Sequence, residues 1–337
     1  MATTRKAVTI LDVAARAQVS RQTVTRALND MADVSPATRA RVVAAAAELN
    51  YRPNRAAQSM VQGRQTTVGL VLDDLSNPYF AELASALTRV AADRGWSVLM
   101  CDLGSDVARA RKQLASIVSR VDALALTGCR SDTLALLPDS VLKADRFGLP
   151  LLMLDGPAHS RLNARVILDA APGMTAALDH LVAGGRRRIA FVDSDLGADD
   201  RRHIFLDYLD QRDLSWSVNP VVSADESLDG GMAAAAELVR NSPEADAVLV
   251  YNDIMAIGVL KELSRLGYPV PDRMAVVGMD GLEIGRLVTP ELTSVSIDKV
   301  AVAEASVELL DRIFTGSAIL PLDDAVIRPT LLVRSSS

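Results

Sequence analysis

Aromatic residues make up only 4 % of this 337-residue chain, and it carries two cysteines and three histidines. So few rings leave a core built mostly from Ala, Val and Leu. Cys101 and Cys129 each lie in an apolar, strand-like run, which points away from a disulfide framework and towards a reduced, cytoplasmic protein. His159, His180 and His203 are scattered, with no second Cys or His cluster, so metal-ligand spacing is missing as well. No run approaches the ~20 apolar residues that cross a bilayer. The opening MATTRKAVTILDVAARA contains no signal-peptide core, which speaks against an exported binding protein. There is no P-loop, no G-x-G-x-x-G after the first strand and no G-x-S-x-G elbow. These absences argue against an enzyme, a membrane protein and a bound cofactor.

What remains is a globular composition, 49 % hydrophobic and 23 % charged, in a chain long enough for two or three compact units. Charge is distributed unevenly. Residues 1–65 hold ten basic side chains against four acidic ones, a net of +6, which leaves −12 for the rest of a chain whose total is −6. A small basic head on an acidic body suits a head that meets a polyanion.

The head reads as three short helices. TILD (Thr9–Asp12) is a capping box in its acidic form, followed by Ile10, Val13, Ala14 and Ala17 at helical spacing. Ser20 is a second N-cap, and Ser35–Pro36 starts a third helix carrying Val42, Ala46 and Leu49 on one stripe. Two helices joined by a tight turn and followed by a third form a helix-turn-helix unit. Val24, Ala27 and Leu28 of its second helix face inward, while Arg21, Gln22, Thr25 and Arg26 face outward. Arg and Gln match guanine and adenine edges in the major groove, whereas Thr and Ser suit phosphates and thymine methyls.

VTILDVAARAQVSRQTVTRALND, followed by VSPATRARVVAAAAELNYRPNRAAQSM, resembles the head of the lactose-repressor (LacI/GalR) family of bacterial transcription regulators. The resemblance implies that Arg21, Gln22 and Arg26 read bases, with Thr25 on the same face where the family usually has Ser. It implies that Ser20, Thr23, Thr25, Asn29 and Tyr51 orient the unit on phosphates. Residues 53–65 correspond to the family's hinge helix. Pro53 ends the third helix and Asn54 caps a stretch of about two turns, too short to be stable alone. There Asn54, Arg55, Ala57, Gln58 and Met60 would meet the minor groove, with Met60 at the position of the usual leucine wedge.

From residue 66 onward the pattern alternates. Strands are expected at 67–73, 97–102, 122–128, 151–155 and 165–169, then at 188–194, 220–225, 247–253 and 274–281. Amphipathic helices such as 79–93, 106–119, 229–240 and 254–266 lie between them. Continuous apolar strands alternating with helices indicate two doubly wound parallel-sheet subdomains. Strand ends in such sheets gather ligand sites. Asn77, Asp102, Asp155, Asp169, Asp193, Asn252, Asp253 and Asp280 stand there, with Tyr79 and Phe80 nearby and Arg201 opening a helix. Carboxylates, amides and a flat ring suit a hydroxyl-rich ligand, although each polar residue alone also suits a helix cap.

DLSNPYFAEL, HLVAGGRRRIAFV, VYNDIMAIGVLKEL and VVGMDGLEIGRLVTPELTSV resemble the body of the same family, which shares its fold with periplasmic sugar-binding proteins. The expected fold is therefore a small all-α helix-turn-helix head (1–52), a hinge (53–65) and an α/β periplasmic-binding-protein-like body (66–337). Chain crossings near 184–186, 294–297 and 321–324 would give an N-subdomain of 66–184 plus 296–321 and a C-subdomain of 186–294 plus 324–334. Effector contacts are implied at Asn77, Phe80, Asp169, Arg201, Asn252 and Asp280, in the cleft between subdomains. Three departures stand out. Ala170 follows Asp169 where the family usually has Asn, Ile204 replaces the usual Gly, and no aromatic lies near Glu226. A sugar or sugar derivative is the favoured effector, with a nucleobase or an amino-acid-like metabolite as alternatives. The chain ends RPTLLVRSSS directly after its last strand, without a leucine heptad, so the expectation is a homodimer on a pseudo-palindromic operator. Its location would be the cytoplasm, on the nucleoid.

Overall fold

The computed structural model describes residues 9–28, 31, 33–49, 51, 65–104, 106–128, 131–142, 148–196, 200–216, 220–316 and 320–337. Asn29, Cys129 and the hinge residues Asn54, Arg55, Ala57, Gln58 and Met60 lie outside them.

The head consists of α1 (Ile10–Ala17), α2 (Arg21–Leu28) and α3 (Pro36–Glu48). The Asp12 carboxylate accepts the Thr9 N–H and the Thr9 hydroxyl, both at 2.7 Å, which closes the expected acidic capping box. Gln18 then ends α1 in the left-handed region, with φ 53°. Ser20 Oγ accepts the Thr23 N–H at 3.0 Å, and Ser35 Oγ accepts the Thr38 N–H at 3.2 Å. Val13, Ala17, Val24, Ala27, Val42 and Ala46 form one core beneath these helices.

The body contains two six-stranded sheets. One is built from β1 (Thr67–Leu72), β2 (Ser97–Asp102), β3 (Ala123–Thr127), β4 (Leu151–Leu154), β5 (Ala164–Leu168) and β11 (Ala325–Ile327), in the order β11-β5-β4-β3-β1-β2. The other holds β6 (Ile189–Ser194), β7 (Val221–Ala224), β8 (Ala247–Val250), β9 (Ala275–Asp280), β10 (Thr293–Ser296) and β12 (Thr330–Leu332), in the order β12-β10-β9-β8-β6-β7. The same winding occurs twice. Pairing from β6 to β10 is parallel, and β12 runs antiparallel to β10.

The helices of the first series are α4 (Pro78–Asp93), α5 (Val107–Val118), α6 (Ser131–Leu134) and α7 (Asp139–Leu142). Those of the second are α8 (Ala171–Ala183), α9 (Arg201–Gln211), α10 (Leu228–Asn241) and α11 (Asp253–Arg265), while α12 (Lys299–Phe314) follows β10 and sets Phe314 against Trp96, just ahead of β2. Apolar strands sort their residues by a period of two. Ala190 and Val192 of β6 pack under α10 and α11, while Ile189 and Phe191 of the same strand pack under α8 and α9.

The chain divides into two compact units. One comprises Met1–Asp74, Ala84–Val166 and Ala303–Ala325, and the other Leu75–Leu83, Ile167–Val302 and Val326–Ser337. The crossing expected at 184–186 falls instead between Val166 and Ile167. Met174, Ala177, Leu178 and Leu181 of α8 share a core with Phe191 and Val277 of the second sheet, so burial carries this helix into the second unit. The crossing expected at 294–297 falls between Val302 and Ala303, and the one expected at 321–324 falls after Ala325, where 325–327 pairs with β5 before 330–332 pairs with β10. The three strands that were not expected are β10, β11 and β12, each only three or four residues long.

Candidate functional site

Two places in the chain concentrate polar chemistry. In the head, α2 keeps Val24 and Ala27 buried and leaves Arg21, Gln22 and Arg26 exposed. Thr25 Oγ1 donates to the Arg21 carbonyl at 3.2 Å, so its hydroxyl is occupied by its own helix. Ser20 Oγ caps α2 by accepting the Thr23 N–H, and the two hydroxyls bond each other at 2.8 Å. Tyr51, expected on a phosphate-facing surface, is instead buried in the head core. Burial raises its phenol pKa, and Arg21 pulls the other way.

The second place is the carboxyl end of the second sheet. The strand order reverses between β6 and β8, the kind of point at which sheets of this class bind ligands. Arg201 follows β6, Asn252 and Asp253 follow β8, and Asp280 ends β9. Asp280 has φ 119°, an unusual conformation for a residue with a Cβ, and it is buried. Backbone strain of this kind persists only where the surroundings over-determine it. Here Lys299 Nζ donates to the carbonyls of Asp280 and Gly281, and the Gly281 N–H donates to Ser294 Oγ at 2.9 Å. Asp253 then accepts the Leu282 N–H at 2.7 Å and the Ser294 hydroxyl at 2.6 Å. Gly281 has no room for a side chain, since a Cβ there would lie 2.1 Å from Ser296 Oγ.

The electrostatics follow from this crowding. Burial raises Asp253 to about 6, against the pull of its bonds to Ser294 and Leu282 and the charges of Lys299 and Arg334. Asp280 is raised well above the usual carboxylate range, by burial first and then by the Asp253 charge, with Arg201 and Lys299 opposing. Arg201 Nη1 donates to the Tyr251 carbonyl at 2.8 Å, and its guanidinium stacks on the Tyr251 ring at 4.2 Å. The Lys299 ammonium pairs with Glu82 at 3.4 Å and lies 6.0 Å from the centre of the Tyr79 ring. Tyr79 in turn meets Phe80 edge to face at 5.3 Å.

Not every expected residue joins this group. Asp169 pairs with Arg328 at 3.2 Å. Asp193 is taken by Arg202 at 2.6 Å, and Arg202 also donates to Ser223 Oγ. Asn77 Oδ1 accepts the Tyr79 N–H at 3.0 Å and Asn252 Oδ1 accepts the Met255 N–H at 2.8 Å, so both cap helices as well as standing at strand ends. Lys299 was missed, although a signal existed. It is the first residue of α12, where the helix dipole disfavours a cation. A separate groove of about 360 Å³ in the first unit is lined in part by His159, Leu322, Arg165 and Asp324, the last two paired at 3.0 Å. Among the described residues no helix is long and apolar enough to cross a membrane, and no group of three metal-ligating side chains occurs.

Residues 9–54 match the model of bacterial regulatory proteins, lacI family, and residues 178–337 match a periplasmic binding protein-like domain. The chain is 31 % identical to the ribose operon repressor of Halalkalibacterium halodurans over 85 % of this chain and 84 % of that protein. It is similar in structure to the lac repressor dimer bound to operator and the anti-inducer ONPF, at TM-score 0.69 and 27 % identity, covering 98 % of this chain and 99 % of the other. It is likewise similar to a LacI family regulator from Arthrobacter sp. FB24 in complex with lactose, at TM-score 0.70 and 30 % identity, covering 81 % and 99 %.

Proposed function

The chain belongs to the LacI family of bacterial regulatory proteins, a family of DNA-binding transcription regulators, and from that premise we propose how it reads DNA and what controls it. The head reads a pseudo-palindromic operator as one half of a homodimer. Arg21, Gln22 and Arg26 take base edges, the methyl of Thr25 faces the same groove, and Ser20, Thr23 and Asn29 face phosphates. Residues 53–65 form a hinge over the minor groove, with Met60 as its wedge. One head alone contacts too few base pairs for genomic specificity, which is why two are required.

The effector is a sugar or sugar derivative held by the second unit. The convergence of Arg201, Asp253, Asp280 and Lys299 at one sheet end carries this reading. Asp280 accepts a pair of ligand hydroxyls, Arg201 donates to others, and Phe80 packs on the ring's apolar face. Asn77 and Asn252 complete the polar set, while Asp169 contributes only by releasing Arg328. A relative named for the ribose operon and a similar structure holding lactose support a carbohydrate. By binding one conformation better than another, the effector shifts the population of DNA-competent dimers and releases repression.

A pair of substitutions tests both halves. Arg26→Ala should abolish operator binding yet keep the thermal shift given by the effector. Arg201→Ala should do the reverse. The effector itself comes from screening the full chain against sugars, sugar acids, polyols and nucleobases. Loss of both properties in either variant would sink the assignment of separate roles.

A further inference from the structure

Asp33 stands where a DNA-reading face has least use for a negative charge. The Arg26 guanidinium pairs through Nη2 with the Asp33 carboxylate, which belongs to the turn between α2 and α3. Each side chain is 44 % exposed, and a solvent-screened pair of this kind contributes little to folding. Stability therefore does not account for the placement.

Met31 and Val34, on either side of Asp33, are tied to the rest of the head. The Met31 N–H donates to the Arg26 carbonyl at 3.0 Å, and the Val34 N–H donates to the Met31 carbonyl at 3.2 Å. Arg39 Nη2 donates to the same Met31 carbonyl at 2.7 Å, and Val34 is buried in the head core. A short side chain between these two tethered residues thus anchors the far end of a long, flexible one. The pair engages Nη2, while the guanidinium fork keeps further N–H donors for the O6 and N7 of a guanine.

Two effects follow once DNA is present. The carboxylate fixes the plane of the guanidinium, so less side-chain ordering is needed to meet a guanine edge. It also repels phosphates and keeps Arg26 from them, removing part of the sequence-independent affinity that any cation gives to any duplex. We propose that Asp33 is a specificity-determining residue of the DNA-reading face, holding Arg26 for one guanine and suppressing binding to duplexes that lack it. The proposal rests on the reading of α2 as the base-reading helix.

The test uses the full chain and its Asp33→Asn and Asp33→Ser variants. Each enriches binding sites from a random duplex pool. Each is then titrated by fluorescence anisotropy against the wild-type enriched site and a scrambled duplex over a series of salt concentrations. Both variants are expected to bind the scrambled duplex more tightly, with a salt slope steeper by up to ~0.9, the value of one phosphate contact. The ratio of specific to scrambled affinity should fall about fivefold or more, the low end of one bidentate base contact. The guanine preference at one position of each half-site should relax, and in an Arg26→Ala background Asp33→Asn should no longer alter it. An unchanged ratio with unchanged base preference in both variants overturns the proposal. So does a rise in the ratio, which would make Asp33 only a brake on Arg26. If the wild-type chain enriches no sequence, the reading of α2 fails and the proposal fails with it.

Discussion

The Lys299 ammonium donates to the main-chain carbonyl of Asp280, so one cation fixes the backbone of the residue proposed to take ligand hydroxyls. It does so from the first position of a helix, with the Gly281 carbonyl and the Glu82 carboxylate as further partners. Lys299→Met keeps the aliphatic stem and removes the donors. Effector affinity is expected to drop about tenfold or more and the melting temperature to fall by ~3–6 °C. Operator affinity without effector should not change, and Lys299→Arg should retain most of the effector binding. Calorimetry and scanning fluorimetry with the compound found by screening measure both. Unchanged effector affinity would remove Lys299 from the site.

The Asp253–Asp280 pair ties stability to pH. Burial lifts Asp253 to about 6 and lifts Asp280 as well, with Asp253 adding to the second shift and Arg201, Lys299 and Arg334 opposing one or both. Both folded values exceed the ~3.9 of an unfolded aspartate, so the folded protein holds protons that the unfolded chain releases. The stabilising share of these groups is present at low pH and is lost as pH rises through the folded values. Asp280→Asn keeps an acceptor and removes one of two crowded charges. It should melt above the wild type at about pH 8, with the gap closing towards about pH 5, and should lose effector affinity. A gap that does not depend on pH would contradict this account.

Gly258 of α11 lies directly against α10. A Cβ there would come within 2.2 Å of the Leu228 carbonyl oxygen, and one at Gly231 within 2.1 Å of the Met255 carbonyl oxygen. Backbone cannot give way as a side-chain tip does. Gly258→Ala is expected to cost ~2–3 kcal/mol in urea unfolding. Gly184→Ala, whose Cβ would meet its nearest neighbour at 3.4 Å, should stay within ~0.5 kcal/mol of wild type. Equal effects at the two positions would show that helix contact is not the cause.

Elements whose causes are local can be read from the residues alone. The Thr9–Asp12 box, the Ser20 and Ser35 caps and the stripe of Val24 and Ala27 depend on residues three or four apart, and all are present. Long apolar runs mark nine strands for the same reason, and most of these, such as β3, β4, β6, β8 and β9, are buried along their whole length. The short strands β10 to β12 offer no such run, and only pairing with neighbours makes them strands. Tertiary structure alone decided that α8 packs with the second sheet and that Asp193 and Asp169 are held by arginines. It also decided that Asp253 reaches Leu282 and Ser294, 29 and 41 residues away. Which strand ends meet is set by winding and burial across the whole sheet, and no spacing along the chain encodes that distance.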